Sequence, residues 1–214
     1  MGYHESLTEG RNAVLEAFRS GKTVDRLFVL DGCQDGPVKT ILREAKKQDT
    51  MVQYVKKERL DQLSETKNHQ GVIAYCAACE YAEVSDILEN AKKKGEAPFI
   101  VLLDGIEDPH NLGAIIRTAN QAGAHGVIIP KRRAVGLTAT VARTSAGAVN
   151  YTPVAKVTNL VTVMEDLKKE GMWFVCADMD GEEMYSLNLK GPIGLVIGNE
   201  GEGVSRLVRE ACDF

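Results

Sequence analysis

Four short apolar runs in the second half of the 214-residue chain constrain its fold most. They are FIVLLD (99–104), GVIIP (126–130), WFVCAD (173–178) and IGLVIG (193–198), and stretches with helical periodicity separate them. Continuous apolar runs of this length are typical of strands that are buried on both faces of a parallel sheet covered by helices. We therefore predict an α/β domain with a parallel sheet over residues 98–214.

The carboxyl ends of these strands are the expected ligand-binding edge. In open parallel sheets ligands bind outside the carboxyl ends of the strands, because the connecting loops meet there. This rule selects the residues that follow Asp104, Pro130, Ala177 and Ile197.

Residues 1–76 alternate helical and strand patterns in a helix-first order and predict a smaller α/β unit. Thr8 is the expected N-cap of a helix through EGRNAVLEAFRSG, and a second helix starts near Pro37. Residues 77–97 then form an amphipathic stretch that ends in a Lys run and a Gly, which is typical of a helical linker. We therefore expect domains at 1–76 and 98–214 with a linker at 77–97.

The composition excludes several classes of protein. No apolar run is long enough to span a bilayer and no basic-then-apolar leader follows Met1, so we expect a soluble cytoplasmic protein. Five cysteines favour reduced thiols over a disulfide framework, and the Cys76/Cys79 pair has no second pair that would complete a zinc site. A net charge of −4 means that any nucleic-acid binding must rest on a local basic patch.

The stretch DPHNLGAIIRTANQAG (108–123) follows the first of these strand ends. Asn111 is the expected N-cap of a helix whose Leu112 and Ile116 face the core, while Arg117 lies on the other side. An arginine that is simply solvated is the alternative. Gly113 argues against it, since a helical glycine costs about 1 kcal/mol relative to alanine and indicates a close approach to the backbone.

Two further stretches follow strand ends. LVIGNEGEGVS (195–205) resembles a dinucleotide-binding loop in its glycines, but such a loop opens a βαβ unit, whereas this one lies at the end of the sequence. Glu200 is either a solvated residue of this turn or a carboxylate that faces a ligand, and its neighbours favour the second interpretation. The basic triplet Lys131, Arg132 and Arg133, followed by Arg143, is either a solvated loop or a local phosphate-binding patch.

Together these stretches resemble the SpoU (TrmH-type) branch of the SPOUT RNA methyltransferases. LDGIEDPHNLGAIIRTANQAGAHGVIIP and LVIGNEGEGVS are similar to its first two motifs, and EGRNAVLEA and HQGVIA (69–74) are similar to its N-terminal RNA-binding domain. KRRAVGLTATVARTSAGA further resembles the subgroup that methylates a guanosine ribose in large-subunit ribosomal RNA.

The resemblance implies methyl transfer from S-adenosylmethionine to a ribose 2′-hydroxyl, a homodimer, and a sheet with a deep trefoil knot, which is rare among protein folds. It implies three catalytic-site residues, Asn111, Arg117 and Glu200. The cofactor would be held by backbone groups of Ala177, Ile197, Gly198 and Gly201. RNA would be bound by Arg11, His69 and Gln70 together with the basic residues Lys131, Arg132, Arg133 and Arg143.

One departure from the family pattern leaves an alternative open. The third motif, a Ser-Leu-Asn run that forms the knot and part of the adenosine pocket, does not follow REACDF at the end of this sequence. We therefore expect weak cofactor binding by a chain that ends there. An RNA-binding protein without transferase activity is the alternative function, and a Rossmann-type oxidoreductase is a more distant one.

Overall fold

A computed structural model describes residues 6–214 of the chain and divides it into two compact units. Unit 1 extends to Glu80 and includes the short segment Gly136–Ala139, whereas unit 2 comprises Tyr81–Val135 and Thr140–Phe214. The start of the chain, on which the expectation about a leader rests, lies outside the described residues.

Unit 1 is built on a four-stranded mixed sheet. Its elements are β1 (Ser6–Glu9), α1 (Arg11–Arg19), β2 (Val24–Leu30), α2 (Gly36–Lys47), β3 (Met51–Val55), α3 (Lys57–Leu63) and β4 (Val72–Cys76). The strand order is β1-β4-β2-β3, with β2 and β3 parallel and the other two pairs antiparallel. One apolar cluster joins α1 and α2 to the sheet, and a smaller one joins α3 to it. The prediction of an α/β unit is confirmed.

The start of unit 1 differs from the expectation. Thr8 is not an N-cap but lies in β1, opposite Ala74 of β4, and the N-cap of α1 is Gly10. The predicted helix-first order was therefore wrong. A four-residue strand has too little periodicity to be recognised alone, and its pairing with β4 is what makes it a strand.

Unit 2 contains the predicted parallel sheet. Its elements are α4 (Val84–Lys94), β5 (Phe99–Asp104), α5 (Pro109–Gln121), β6 (Gly126–Pro130), α6 (Ala139–Thr144), β7 (Val154–Val157), α7 (Leu160–Lys169), β8 (Trp173–Cys176), β9 (Ile193–Gly198) and α8 (Arg206–Glu210). All five strands are parallel, in the order β7-β6-β5-β9-β8. The strand β7 was missed because Lys156 interrupts its short apolar run.

The stretch 77–97 is not a linker in the structure. It contains α4, whose Ile87 and Ala91 are fully buried, and Ile87 packs into the same apolar cluster as Ile100 and Ile128. Because burying these side chains stabilises unit 2, the helix is part of that unit and the boundary falls at Glu80.

The strand order creates a switch point at β5. From β5 the chain proceeds to β6 and β7 on one side of the sheet, and then crosses to the other side, where it forms β8 at the edge and β9 next to β5. Ligands of open parallel sheets bind where the strand order reverses, at the carboxyl ends. The crevice beyond Asp104 of β5 and Gly198 of β9 is therefore the expected site. Among the described helices none is long and apolar enough to cross a bilayer.

Candidate active site at the carboxyl edge of the parallel sheet

The helix α5 begins one turn earlier than predicted. Its N-cap is Asp108, whose Oδ1 accepts hydrogen bonds from the backbone N–H groups of His110 (2.6 Å) and Asn111 (3.2 Å). The assignment of Asn111 as the cap was wrong, because Pro109 at the first helical position sets an earlier start. The Asn111 side chain is instead exposed in the first turn, close to the carboxyl end of β5.

Two loops at this edge, one after β9 and one after β6, are joined by hydrogen bonds to the segment between β5 and α5. The carbonyl of Gly105 accepts from Asn199 Nδ2 at 2.9 Å, and the carbonyl of Ile106 accepts from the backbone N–H of Val135 at 2.9 Å. Residue 199 belongs to the loop after β9, and residue 135 follows the basic triplet after β6. The structure thus brings together the three stretches that the sequence analysis selected.

The loop after β9 closes on itself. Asn199 and Gly203 exchange two backbone hydrogen bonds of 3.0 and 2.8 Å, which leaves Glu200 exposed at the turn. A Cβ on Gly198 would lie 2.1 Å from the carbonyl carbon of Gly203. Gly198 is therefore required by the packing of the loop itself. A further hydrogen bond, from the N–H of Ser205 to Asp104 Oδ2 (2.7 Å), joins the loop to β5.

The face of α5 that carries Arg117 is only partly open to solvent. Four residues before Arg117, Gly113 contacts Thr144, and three residues after it, Asn120 donates a hydrogen bond to Thr152 Oγ1 at 2.9 Å. Arg117 itself is exposed between these two contacts. The close approach that Gly113 predicted is confirmed, and α6 makes it.

The other predicted residues of unit 2 lie along the same edge. Ala177 follows β8 and donates its backbone N–H to the carbonyl of Val196 in β9 (2.9 Å), and Ile197, the last residue but one of β9, is half-buried. Gly201 is exposed in the loop after β9. Of the basic residues, Arg132, Arg133 and Arg143 are exposed, and Arg143 donates to Thr140 Oγ1 at 3.1 Å.

The RNA-binding residues predicted in unit 1 are engaged in contacts within that unit. Arg11 forms an ion pair with Asp35 (2.6 Å) and donates from Nε to the carbonyl of Gln70 (3.1 Å). His69 is 7% exposed, its Nδ1 accepts from the N–H of Gly71 (3.0 Å), and its Nε2 lies 3.0 Å from Asp61 Oδ1. Both ring nitrogens of His69 are therefore occupied.

A residue that the sequence analysis missed organises the neighbouring loop. The Glu9 carboxylate accepts hydrogen bonds from Ser64 Oγ, from the N–H of Glu65 (2.7 Å), and from the N–H and Oγ1 of Thr66 (3.2 and 2.9 Å). Burial raises the pKa of Glu9, but these hydrogen bonds outweigh it and lower the pKa below its ordinary value. Beyond them Lys67, with a positive φ of 60°, and Asn68 are exposed at the loop tip.

Asn199 was also missed, although an Asn that precedes a glycine-rich turn is a known signal for side-chain hydrogen bonding to the turn. Among the described residues, no group of three or more His, Cys, Asp or Glu side chains is arranged to hold a metal ion.

The two halves of the chain match two protein-family descriptions. Residues 98–214 match the SpoU rRNA methylase family, and residues 7–82 match the domain described as RNA 2′-O ribose methyltransferase substrate binding. The chain belongs to the SpoU rRNA methylase family. It is 48% identical over 207 residues to YacO of Bacillus subtilis, named as a TrmH family tRNA/rRNA methyltransferase, covering 96% of this chain and 82% of YacO. A TrmH family relative from Staphylococcus saprophyticus is 44% identical, covering 98% of this chain and 84% of the relative.

Solved structures share the fold. The SpoU methyltransferase AviRb from Streptomyces viridochromogenes, in complex with AdoMet, superimposes with a TM-score of 0.57 at 24% identity, covering 98% of this chain and 79% of AviRb. An AdoMet-bound rRNA methyltransferase from Sinorhizobium meliloti gives a TM-score of 0.54 at 24% identity, and the match covers 96% of this chain and 75% of that protein. These similarities confirm the SPOUT methyltransferase fold, while the trefoil knot stays a prediction.

Proposed function

We propose that this member of the SpoU family transfers a methyl group from S-adenosylmethionine to a ribose 2′-hydroxyl of RNA, and that its target is a guanosine of 23S ribosomal RNA. The observation that carries the proposal is the meeting of the three motif-bearing loops around residues 105–106. The match of residues 7–82 to a substrate-binding domain of 2′-O ribose methyltransferases supports the ribose as acceptor.

The chemistry of the loop edge fits the cofactor. S-adenosylmethionine supplies an electrophilic methyl group on a positively charged sulfonium when it is bound. At the ends of β5 and β9, the half-buried carboxylate of Asp104 and the exposed carboxylates of Glu200 and Glu202 provide local negative charge that complements a cation. Four residues at the ends of β8 and β9 would hold the cofactor through backbone groups: Ala177, Ile197, Gly198 and Gly201.

The residues on α5 have the chemistry needed at a ribose hydroxyl. The hydroxyl is a weak nucleophile at neutral pH and must lose its proton, which passes to solvent, as its oxygen bonds to the methyl carbon and the carbon–sulfur bond breaks. Arg117 cannot accept that proton, because a guanidinium stays protonated, but it can donate hydrogen bonds to the developing alkoxide and to an adjacent phosphate. Asn111 would orient the ribose, and Glu200 would hold the arginine or the loop.

RNA binding is divided between two surfaces in this proposal, one in each unit. In unit 1, Arg11, His69 and Gln70 shape the loop over residues 64–71, and the exposed Lys67 and Asn68 at its tip contact the RNA. In unit 2 the phosphate contacts come from Lys131, Arg132, Arg133 and Arg143. We further propose that the enzyme acts as a homodimer.

The test is methylation by the full-length protein with radiolabelled S-adenosylmethionine. Ribosomal RNA from cells that lack the protein is the substrate, and RNA from wild-type cells is the control, since its target is already methylated. We expect incorporation only into the first RNA, at one 2′-O position of a 23S guanosine. RNA binding without cofactor binding in isothermal titration would instead support the RNA-binding alternative without transferase activity.

A further inference from the structure

Asn199 uses both ends of its side-chain amide, and each end contacts a different loop. Its Nδ2 donates to the carbonyl of Gly105 at 2.9 Å, in the loop between β5 and α5. Its Oδ1 accepts from the backbone N–H groups of Gly201 (2.8 Å) and Glu202 (3.2 Å), within the loop after β9. The half-buried side chain therefore joins two loops that are 94 residues apart along the chain.

This contact joins the turn that contains Glu200 to the segment that precedes α5. Glu200 lies inside the turn that Asn199 closes, and Gly105 lies three residues before the N-cap of α5. A second hydrogen bond across the crevice runs from the backbone N–H of Ser205 to Asp104. A substitution at residue 199 thus removes one of these two connections and leaves the other in place.

We propose that Asn199 is a positioning residue for methyl transfer, which holds Glu200 in register with Asn111 and Arg117. The inference rests on the function proposed above. Asparagine is suited to this position because one planar group must donate to a carbonyl and accept from two N–H groups. An aspartate would place a second acceptor against the Gly105 carbonyl, and a serine is too short to span both loops.

The experiment measures kcat for RNA methylation by the full-length protein carrying Asn199→Asp or Asn199→Ser. Asn188→Asp is the matched control, because within residues 6–214 the exposed Asn188 accepts only a local hydrogen bond from the N–H of Lys190, at 3.4 Å. We expect kcat to fall roughly 100-fold in both Asn199 variants, since small displacements of catalytic groups cost rates of this size. The control and the RNA affinity should stay within about twofold of the wild type.

Two readouts separate positioning from loss of structure. In a Glu200→Ala background Asn199→Asp should lower kcat little further, because its effect is transmitted through Glu200. The KM for RNA should also stay within about twofold of the wild type in both Asn199 variants while kcat falls, because the substitution displaces a group of the reacting site and leaves the RNA-binding residues in place. Wild-type kcat in both Asn199 variants, or full additivity with Glu200→Ala, would overturn the proposal.

Hydrogen–deuterium exchange tests the connection independently of activity. Faster exchange at residues 105–108 and 199–205 in Asn199→Ser than in Asn188→Asp supports the proposal, and unchanged exchange overturns it. If Asn199→Asp does not fold, Asn199→Ser decides, because its hydroxyl can still accept from the turn. The wild-type protein could show no methylation while Asn199→Ser still exchanges faster at these residues. That result would contradict the proposed function but not the connection between the two loops.

Discussion

Thr144 occupies the space that a side chain on Gly113 would need. A Cβ at residue 113 would lie 1.9 Å from Thr144 Oγ1 and 2.8 Å from Thr144 Cβ, so α5 and α6 approach closely at this point. Gly113→Ala should therefore destabilise the protein by about 1–3 kcal/mol, even though alanine has the better helix propensity by about 1 kcal/mol. Urea unfolding measures this difference.

The control for the glycine prediction is Thr118→Ala at an exposed position of the same helix. It changes helix propensity without a new contact, and we expect no loss of stability. A Gly113→Ala variant as stable as Thr118→Ala would contradict the packing of α6 against α5.

Arg117→Ala should abolish methyl transfer and leave the fold intact, because the side chain lies outside the apolar core. We expect a loss of at least about 100-fold in kcat, the scale of removing one donor to a developing oxyanion. Arg117→Lys should rescue poorly, since lysine lacks the planar fork of the guanidinium. Methylation assays with Thr118→Ala as the neighbouring control check this, and wild-type turnover by Arg117→Ala would refute the assignment.

Glu9→Gln should weaken unit 1 in a pH-dependent way. Since the pKa of Glu9 is lower in the folded protein than its ordinary value of 4.5, its carboxylate stabilises the fold above that pH. The stabilisation is lost as the pH falls through the folded pKa. We therefore expect Glu9→Gln to lower the melting temperature at pH 7 and to approach the wild type as the pH falls well below 4.5. If the melting temperatures of Glu9→Gln and the wild type differed by the same amount across this pH range, the Glu9 carboxylate would not be the source of the effect. An equal effect of the nearby Glu65→Gln would contradict the prediction too.

Lys67→Ala should weaken RNA binding and reduce its dependence on salt. If the Lys67 ammonium neutralises one phosphate, the slope of log affinity against log salt should fall by about 1. Lys47→Ala is the control in the same unit, because Lys47 is paired with Glu44 at 2.9 Å on α2. Filter binding over a salt series measures both slopes, and identical changes in the two variants would mean that the tip of the loop does not contact RNA.

Cys212 should be slow to react with alkylating reagents. Burial raises the pKa of its thiol to about 12, and the neighbouring Cys176 adds to this shift. The thiolate fraction near pH 8 is then roughly 100- to 1000-fold lower than in the unfolded chain, and the rate of alkylation should fall with it. Mass spectrometry of iodoacetamide-treated protein, with and without urea, measures the ratio; equal rates would show that the thiol is not buried.

The raised pKa of Cys212 also affects the pH dependence of stability. The neutral thiol stabilises the folded protein fully below pH 9.0, the ordinary thiol pKa, and this stabilisation is lost as the pH rises above 9.0. When the pH is raised from about 9 to 11, the free energy of unfolding should therefore fall less in Cys212→Ala than in the wild type.

Local patterns in the sequence determined the parallel sheet and the stretches that carry the site. The apolar runs at 99–104 and 193–198 became β5 and β9, because a strand buried on both faces needs a continuous apolar run. The glycine at 113 predicted a close contact, which α6 provides. The motifs around Arg117 and Glu200 were sufficient for the family, since their spacing is local.

Only the tertiary structure decided which segments far apart along the chain pair with or pack against one another. Ser6–Glu9 is a strand because β4 pairs with it, and α4 belongs to unit 2 because Ile87 enters its core. Arg11 is paired with Asp35, and Asn199 is bonded to Gly105. These contacts join residues far apart along the chain, and no periodicity or motif encodes them. They arise when packing brings two elements together, since each polar group near the interior must then find a partner within hydrogen-bonding distance.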